Sequence, residues 1–439
     1  MEPAVYRPRC ALESPYYRCV EDNFEAFEQV YDERFERRYG FWRPYVGDVI
    51  RRFLDCGVLY NGFARMRCEK CGHEYLLAFS CKRRHFCPSC HQKRVVEFGE
   101  WLCGHVIKAV PHRHLVFGIP KILRRCFLYN RKLLSGLSRC AWEAVQSYLR
   151  SACPSVETSP AAVNAIQTFG DFLNFNPHCH MLVADGGFHA SGMFRVAPKL
   201  DGVQIAALFR QRVLRLLLSE GRITEDLVAL MDRWRHTGFN VYCGPRILPW
   251  QARSMENLAC YIIRASFSQE RMTYVRESGQ VVYRSKDGGR EKVFDALEWM
   301  AAMCSHIPDR GEQMVRYYGY YSNVSRGKRR KAGRGDEIEC ILEPELSDGE
   351  FRKSWARLIR KVYEVDPLVC PRCAGPMRVI AFIEDEVVIK KILVHLGRWE
   401  VKRHLPPVAH GPPLWDEVDT APTANDYLTD PQYPAEAYF

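Results

Sequence analysis

The sequence predicts an α+β protein with a ferredoxin-like, split βαβ core, preceded by a helical, cysteine-rich region and followed by a small C-terminal module. Three observations carry this. Between residues 112 and 268 the hydrophobic periodicity reads β-α-β-β-α-β and then one more helix. Two Cys-x-x-Cys pairs, CEKC and CPSC, lie close together before that stretch. A third, CPRC, lies after a basic, glycine-containing run.

With 439 residues, 47% of them hydrophobic, the chain is long enough for two or three domains with a sizeable core. Lys plus Arg number 63 against 52 Asp plus Glu, a net +11. That excess fits a polyanion partner and fits an ordinary basic protein equally well. The N-terminus, MEPAVYRPRCALESPYYRC, is charged throughout and has no apolar stretch of signal-peptide length. No run approaches the roughly 18–20 apolar residues of a membrane span, and LRLLL at 214–218 is a short helix face. The expectation is a cytoplasmic protein without membrane partners. In that compartment its 19 cysteines serve as metal ligands or small buried apolar residues rather than disulfides.

In order along the chain, residues 1–20 read as a loose Pro/Cys/Tyr-rich arm. Residues 21–56 read as helix, with Phe24, Phe27, Val30, Tyr31 and Phe35 at helical spacing. HRHLVFGI (112–119) reads as a strand, 129–151 as helix, and AAVNAIQTFG (161–170) and HCHMLVAD (178–185) as a pair of strands. Residues 204–221 form an amphipathic helix, 239–244 a strand and 254–268 a helix. A hairpin, RMTYVRES–GQVVYRSK, a helix near 293–304 and an aromatic strand at 316–322 follow. RGKRRKAGRG (326–335) reads as a basic linker, and the tail from 404 as poorly ordered. The resulting boundaries are 1–60 for the N-terminal arm and helical region, 61–105 for a cysteine-bearing domain, 106–325 for the α+β core, and 326–439 for linker, CPRC module and tail.

The chemistry concentrates in NPHCHMLV. Residues i and i+2 of a strand share a face, so His178 and His180 stand side by side with Cys179 turned to the core. Neutral imidazoles bind divalent cations well, though a lone His-x-His is more often structural. Gln167, an amide in the apolar run of the preceding strand, comes near the pair if the two strands form a hairpin. Its carbonyl oxygen would make a third ligand and leave positions open, the alternative being a cross-sheet hydrogen bond. Tyr261 follows on the last helix, with Asn257 one turn earlier and Arg264 on the next turn. A phenol becomes a useful nucleophile when a metal polarises the phosphate it attacks, and Arg264 would clamp a phosphate oxygen. Tyr317, Tyr318, Tyr320 and Tyr321 compete for that role, or form one aromatic face that stacks bases.

Cys68 and Cys71 with Cys87 and Cys90 match a zinc ribbon, a closed tetrahedral thiolate site of structural kind. Cys81, His73, His85 and His91 lie nearby and either replace a ligand or remain ordinary loop residues. Cys370 and Cys373 form half of a further zinc site, with Cys340 and His395 as the nearest candidates to complete it. Lys82, Arg83, Arg84, Lys93 and Arg94 surround the first knuckles. Arg326, Lys328, Arg329 and Arg330 lie in the linker. Both groups suit contacts to a DNA backbone.

Together, FERRYGFWRPYVGDVIRRFLDCG, CEKCGHEYLLAFSCKRRHFCPSC, HRHLVFGIPKILR, IQTFGDFLNFNPHCHMLVADGGF, LACYIIRASFS, VRYYGYYSNVSRGKRR and DPLVCPRCAGPMRVIAFIED resemble the rolling-circle transposases of the insertion-sequence-91 kind. The resemblance spans roughly 25–400. It implies a zinc-binding N-terminal region and an HUH nuclease core with His178 and His180 on a catalytic Mg or Mn. It also implies Tyr261 as a nucleophile that forms a 5′-phosphotyrosine and frees a 3′-hydroxyl. Part of the family has two tyrosines four residues apart. Here the earlier position is Asn257, as in a single-tyrosine branch, so one tyrosine serves both cleavage and rejoining, or a second subunit supplies another. The partners implied are single-stranded element ends and target DNA, acting at the bacterial nucleoid. GDFLNF and DGGRE lack the P-loop pattern, which leaves strand separation to a host helicase. A replication initiator or relaxase with the same core, and a non-catalytic zinc protein that binds DNA, are the alternative readings.

Overall fold

The computed structural model describes residues 11–83, 85–152, 158–189, 193–197, 200–333 and 368–399. Its architecture is mixed α+β, and every strand pairing among the described residues is antiparallel.

The N-terminal part contains α1 (Pro15–Arg34), α2 (Glu36–Tyr39), α3 (Pro44–Leu54), β1 (Phe63–Cys68), β2 (Glu74–Ala78) and α4 (Pro88–His105). Residues 21–56 are therefore not one helix. The chain turns at Gly40, which adopts φ +88°, and Pro44 restarts a helix at its first turn, where a missing N–H does no harm. Residues 15–20, expected as a loose arm, belong to α1. Ser14 caps it by accepting from the Tyr17 N–H, and Tyr16, Tyr17, Cys19 and Val20 are buried.

The central part runs β3 (His112–Gly118), α5 (Lys121–Tyr129), α6 (Lys132–Ala152), β4 (Ala161–Phe169), β5 (Phe175–Ala184), the small pair β6 (Gly186–Phe188) and β7 (Phe194–Val196), α7 (Gly202–Ser219), α8 (Glu225–Asp232), β8 (Asn240–Ile247) and α9 (Ala252–Tyr261). It continues with β9 (Met272–Val275), β10 (Gln280–Arg284), β11 (Glu291–Asp295), α10 (Ala296–Ser305), β12 (Val315–Gly319) and α11 (Asn323–Lys331). The five-stranded sheet has the order β12-β4-β5-β3-β8. Both of its faces are covered, which is why β4 reads as almost continuously apolar. Phe117, Cys179, Met181 and Val183 pack with Leu134, Phe209 and Val213 from α6 and α7 on one face. Leu182 and Ala184 pack with Phe98 and Leu102 of α4 and Leu258 of α9 on the other.

Two expected segments change character. Residues 326–335, expected as a linker, lie largely within α11. Ser322 caps this helix by accepting from the Ser325 N–H, and Gly333 at φ +61° closes it. The helix expected over 254–268 stops at Tyr261. The Gln167 amide donates to the carbonyl oxygens of Tyr261 and Ile262, a side-chain capture of the helix end.

The cores cross the expected boundaries. Helix α1 shares one core with β10, β11 and α10 through Phe27, Val281, Phe294 and Trp299. The C-terminal β13 (Met377–Ile383), followed by α12 (Glu386–His395), pairs with β1 in the sheet β13-β1-β2. Residues 368–399 thus complete the N-terminal sheet rather than standing apart. No helix among the described residues is long and apolar enough to cross a membrane. Cys340, Arg84 and the tail from 404 lie outside the described residues.

Candidate active site and cysteine clusters

His178 and His180 lie on β5 and face α4 and α9, while Cys179 points into the opposite core, as strand alternation requires. The His178 Nδ1–H donates to the Asn176 carbonyl at 2.7 Å, which leaves a lone pair on Nε2. The Nε2 atoms of His178 and His180 are 3.0 Å apart. Gln167 on β4 is the direct cross-strand partner of His178. Its amide nitrogen is spent on the α9 end, and its Oε1 is buried without a hydrogen-bond partner. A buried orphan acceptor is costly, and a cation is one group that would satisfy it.

His114 on β3 joins from the next strand. Its Nε2 meets His180 Nδ1 at 2.9 Å, so it contacts the ring nitrogen remote from His178 and holds the imidazole from behind. Burial, reinforced by His178, lowers the His114 pKa to about 3. Burial and the same neighbours hold His180 well below its ordinary value. Both rings are neutral near pH 7, the form with a lone pair to give. His114 is missing from the sequence expectation, although HRH repeats the His-x-His spacing one strand earlier.

Tyr261 closes the site. Its ring is edge-on to His180, centroids 5.4 Å apart, and 6.3 Å from His114. The Arg264 guanidinium lies 4.5 Å from the Tyr261 ring centroid, brought there by the turn after α9 rather than by a further helical turn. Gln167 and Arg264 also line a cleft of about 600 Å³ with Arg94, Arg316, His85 and His91. This cleft opens beside the histidines rather than on them, and its arginines make it electropositive. The four competing tyrosines have other ring partners, although Tyr317 and Tyr318 also line the cleft. Tyr318 stacks on Trp142, Tyr320 on Phe188, Tyr317 packs edge-on to Trp101, and the Tyr321 hydroxyl bonds His112.

The cysteines assemble differently from the expected ribbon. Cys68 and Cys71 do not meet Cys87 and Cys90. Cys87 and Cys90 converge with Cys56 and Cys81, with Cys56–Cys87, Cys56–Cys90 and Cys81–Cys90 sulfurs 3.7, 3.8 and 3.6 Å apart. Cys68 and Cys71 converge with Cys370 and Cys373. Cys56 was not foreseen, since DCG carries no local sign of a ligand. Such crowding splits the thiols. Hydrogen bonds from Cys81 and Cys56 respectively lower the pKa of Cys56 and Cys90, and those of Cys81 and Cys87 rise. Neither His73 nor His395 joins either four-cysteine group.

His91, the neighbour of Cys90 on α4, accepts the His85 backbone N–H at Nδ1. Its Nε2 therefore carries the proton and donates to the Ile263 carbonyl at 2.7 Å. A side chain next to a cysteine cluster thus holds the backbone two residues beyond Tyr261. Among the expected basic residues, Lys82, Lys328 and Arg330 are exposed, Arg83 and Lys93 are half-buried, and Arg94 lines the cleft. Arg326 packs 5.4 Å from Trp101. Arg329 stacks 3.5 Å over Tyr320 and donates to its carbonyl oxygen.

Fold and site define a class: a mixed α+β protein with two four-cysteine groups of the kind that hold structural zinc, and a separate group of buried histidines. Residues 161–329 match the family model described as "Putative transposase", and residues 26–119 match the "Transposase zinc-binding domain" of the insertion-sequence-91 type. The transposase for insertion sequence element IS801 of Pseudomonas savastanoi pv. phaseolicola is 24% identical over 414 residues, 88% of this chain and 96% of that protein. "Putative transposase y4qJ" of Sinorhizobium fredii is 25% identical over 348 residues, 73% of this chain and 85% of that protein. No solved structure matches. The chain belongs to the insertion-sequence-91 family of transposases, DNA-processing enzymes, and its cysteine clusters are built for structural zinc.

Proposed function

We propose that this transposase nicks and rejoins single-stranded DNA with Tyr261 as nucleophile, in rolling-circle-type transposition. The observation that carries the reading is the placement of Tyr261 and Arg264 against a buried histidine pair whose neighbouring Gln167 Oε1 lacks a partner. His178 Nε2, His180 Nε2 and Gln167 Oε1 would hold Mg or Mn, which supplies polarisation of the scissile phosphate. The orphaned oxygen and the buried imidazoles of His178 and His180 suit that donor set.

The Tyr261 oxygen attacks phosphorus, the bond to the 3′ oxygen breaks, and that oxygen takes up a proton as the phenol loses one to solvent. The 5′-phosphotyrosine conserves the bond energy until a 3′-hydroxyl attacks it and restores the phenol. Arg264 balances phosphate charge beside the ring. Helix α9 contains Tyr261 alone, with exposed Asn257 one turn earlier, which favours one tyrosine for both steps or a second from another subunit. The strand order β4-β5-β3-β8 with α6 and α7 on one face supports a split βαβ, HUH-type core. The cleft with Arg94 and Arg316, together with exposed Lys82, Lys328 and Arg330, suits the phosphates of a single strand. A host helicase would supply that strand.

The test is a labelled single-stranded oligonucleotide bearing an element end, incubated with Mn. A covalent adduct that survives denaturation is expected, and Tyr261→Phe is expected to lose it while still binding the oligonucleotide. An adduct in the variant refutes Tyr261 as nucleophile.

A further inference from the structure

We infer that Cys68, Cys71, Cys370 and Cys373 hold a second zinc ion, distinct from one at Cys56, Cys81, Cys87 and Cys90, and that it clasps the C-terminal segment onto the N-terminal sheet. The first cluster lies wholly within the matched zinc-binding region, residues 26–119. The second does not. Cys370 and Cys373 lie beyond both matched regions, and the cluster joins residues 299 and 305 positions apart.

The geometry is that of a tetrathiolate site. The Cys68–Cys373 and Cys71–Cys370 sulfurs are each 3.5 Å apart, and all four lie within 4.8 Å of one another. Four sulfurs around one zinc, each at about 2.3 Å, stand about 3.8 Å from each other. Disulfide-bonded sulfurs would be at about 2.05 Å.

The two knuckles are the same turn made twice. In each, the N–H of the first cysteine donates to the carbonyl oxygen five residues on: Cys68 to His73 and Cys370 to Gly375, both at 2.8 Å. In each, the residue after the second cysteine donates back to the first: Gly72 to Cys68 at 3.1 Å and Ala374 to Cys370 at 2.9 Å. That residue is left-handed in both, Gly72 at φ +69° and Ala374 at φ +54°. A left-handed alanine needs a surrounding reason, and a shared ion supplies one. The Cys71 N–H also lies 3.5 Å from Cys68 Sγ, a donor that a zinc-bound thiolate would accept.

The cluster sits where it sets a register. Cys68 is the last residue of β1 and pairs with Met377, the first of β13, and the Glu69 N–H donates to the Pro376 carbonyl at 3.0 Å. The cores on either side of this sheet are small, Phe63, Leu76, Ile389 and Leu393 in one and Met66, Cys68, Cys370 and Met377 in the other. Cores of that size rarely hold a strand by themselves, and metal clips are the usual supplement. Bringing together segments about 300 residues apart has a chain-entropy cost that metal binding offsets. All four donors are cysteines, so no position is left for substrate, and the site is structural. It does not depend on the tyrosine chemistry.

The test is metal analysis of the full-length chain in a His178→Ala, His180→Ala background, so that zinc on the histidines is not counted. Two zinc ions per chain are expected, and one after Cys370→Ser with Cys373→Ser. Hydrogen exchange should then rise at least tenfold in β1 and β13 while β3 and β5 keep their protection. One zinc in the parent chain, two retained in the variant, or thiol counting that finds these four cysteines oxidised would each overturn the inference. The parent count decides the matter even where the serine variant fails to fold.

Discussion

The cysteine clusters and the histidine site both gather metal-binding side chains, and they are built in opposite ways. Each cluster draws four like ligands from separate turns and uses all of them on one another. Cys71 and Cys373 are exposed, and neither lines the arginine-bearing cleft beside the histidines. The histidine site draws unlike donors from adjacent strands of one rigid sheet, buries them, and leaves the Gln167 oxygen unmatched beside an arginine-lined cleft. A closed set of ligands spends its binding energy on folding. An open set keeps some for a substrate. Under the proposed function, the zinc regions would serve as a platform, and the sheet with the α9 end as the reactive part.

The largest expected effect comes from His178→Ala. Cleavage should fall more than about 100-fold, above the range for residues acting one shell out, while the zinc content is unchanged. Zinc loss in this variant would erase the distinction between open and closed sites. His114→Ala, acting through His180 Nδ1, should weaken Mn dependence by about 10–100-fold and recover at saturating Mn. Failure to recover at any Mn concentration would make His114 part of the chemistry itself.

His91 sharpens the comparison because it joins the two regions. Removing its donor leaves the Ile263 carbonyl short of a partner, an effect of about 1–3 kcal/mol on the segment that carries Tyr261 and Arg264. His91→Ala should slow adduct formation up to about 100-fold at saturating oligonucleotide, with zinc content unchanged. Unchanged adduct kinetics would uncouple the platform from the nucleophile.

The smallest effect is on stability. Burial lowers the pKa of His112 to about 4 and that of His306 to about 3. Above about pH 6.5 both are neutral, folded or unfolded. Below it the unfolded chain takes up protons that the folded chain refuses. Stability therefore falls as pH drops from about 6.5 toward 4, by up to about 1.4 kcal/mol per proton per pH unit. Tm measured from pH 7 to 5 should decline, and His306→Gln should flatten the slope. A level Tm in the parent chain would contradict the burial of these rings.

Much of the site was legible because its signals are local. His178 and His180 share a face by the two-residue period of a strand, and AAVNAIQTF places Gln167 one hairpin away. His114 stood in plain sight in HRH, but two strands distant in the sheet order from β4, so no hairpin argument reached it. Helix α11 was hidden because Gly327 and Gly333 read as breakers, whereas the Ser322 cap starts the helix and only Gly333 ends it.

By itself, the sequence determined the strand and helix alternation of the centre, the paired imidazoles, the tyrosine on its helix and the existence of three cysteine knuckles. Each rests on spacings of two to four residues, which backbone geometry converts directly into a shared face or turn. Only the tertiary structure decided which knuckles share an ion. CPSC turns to Cys56 and Cys81, and CEKC turns to a pair about 300 residues later. Thiolates are interchangeable ligands, so spacing alone cannot choose among them. Sheet β13-β1-β2 makes the choice by seating the CPRC turn beside Cys68.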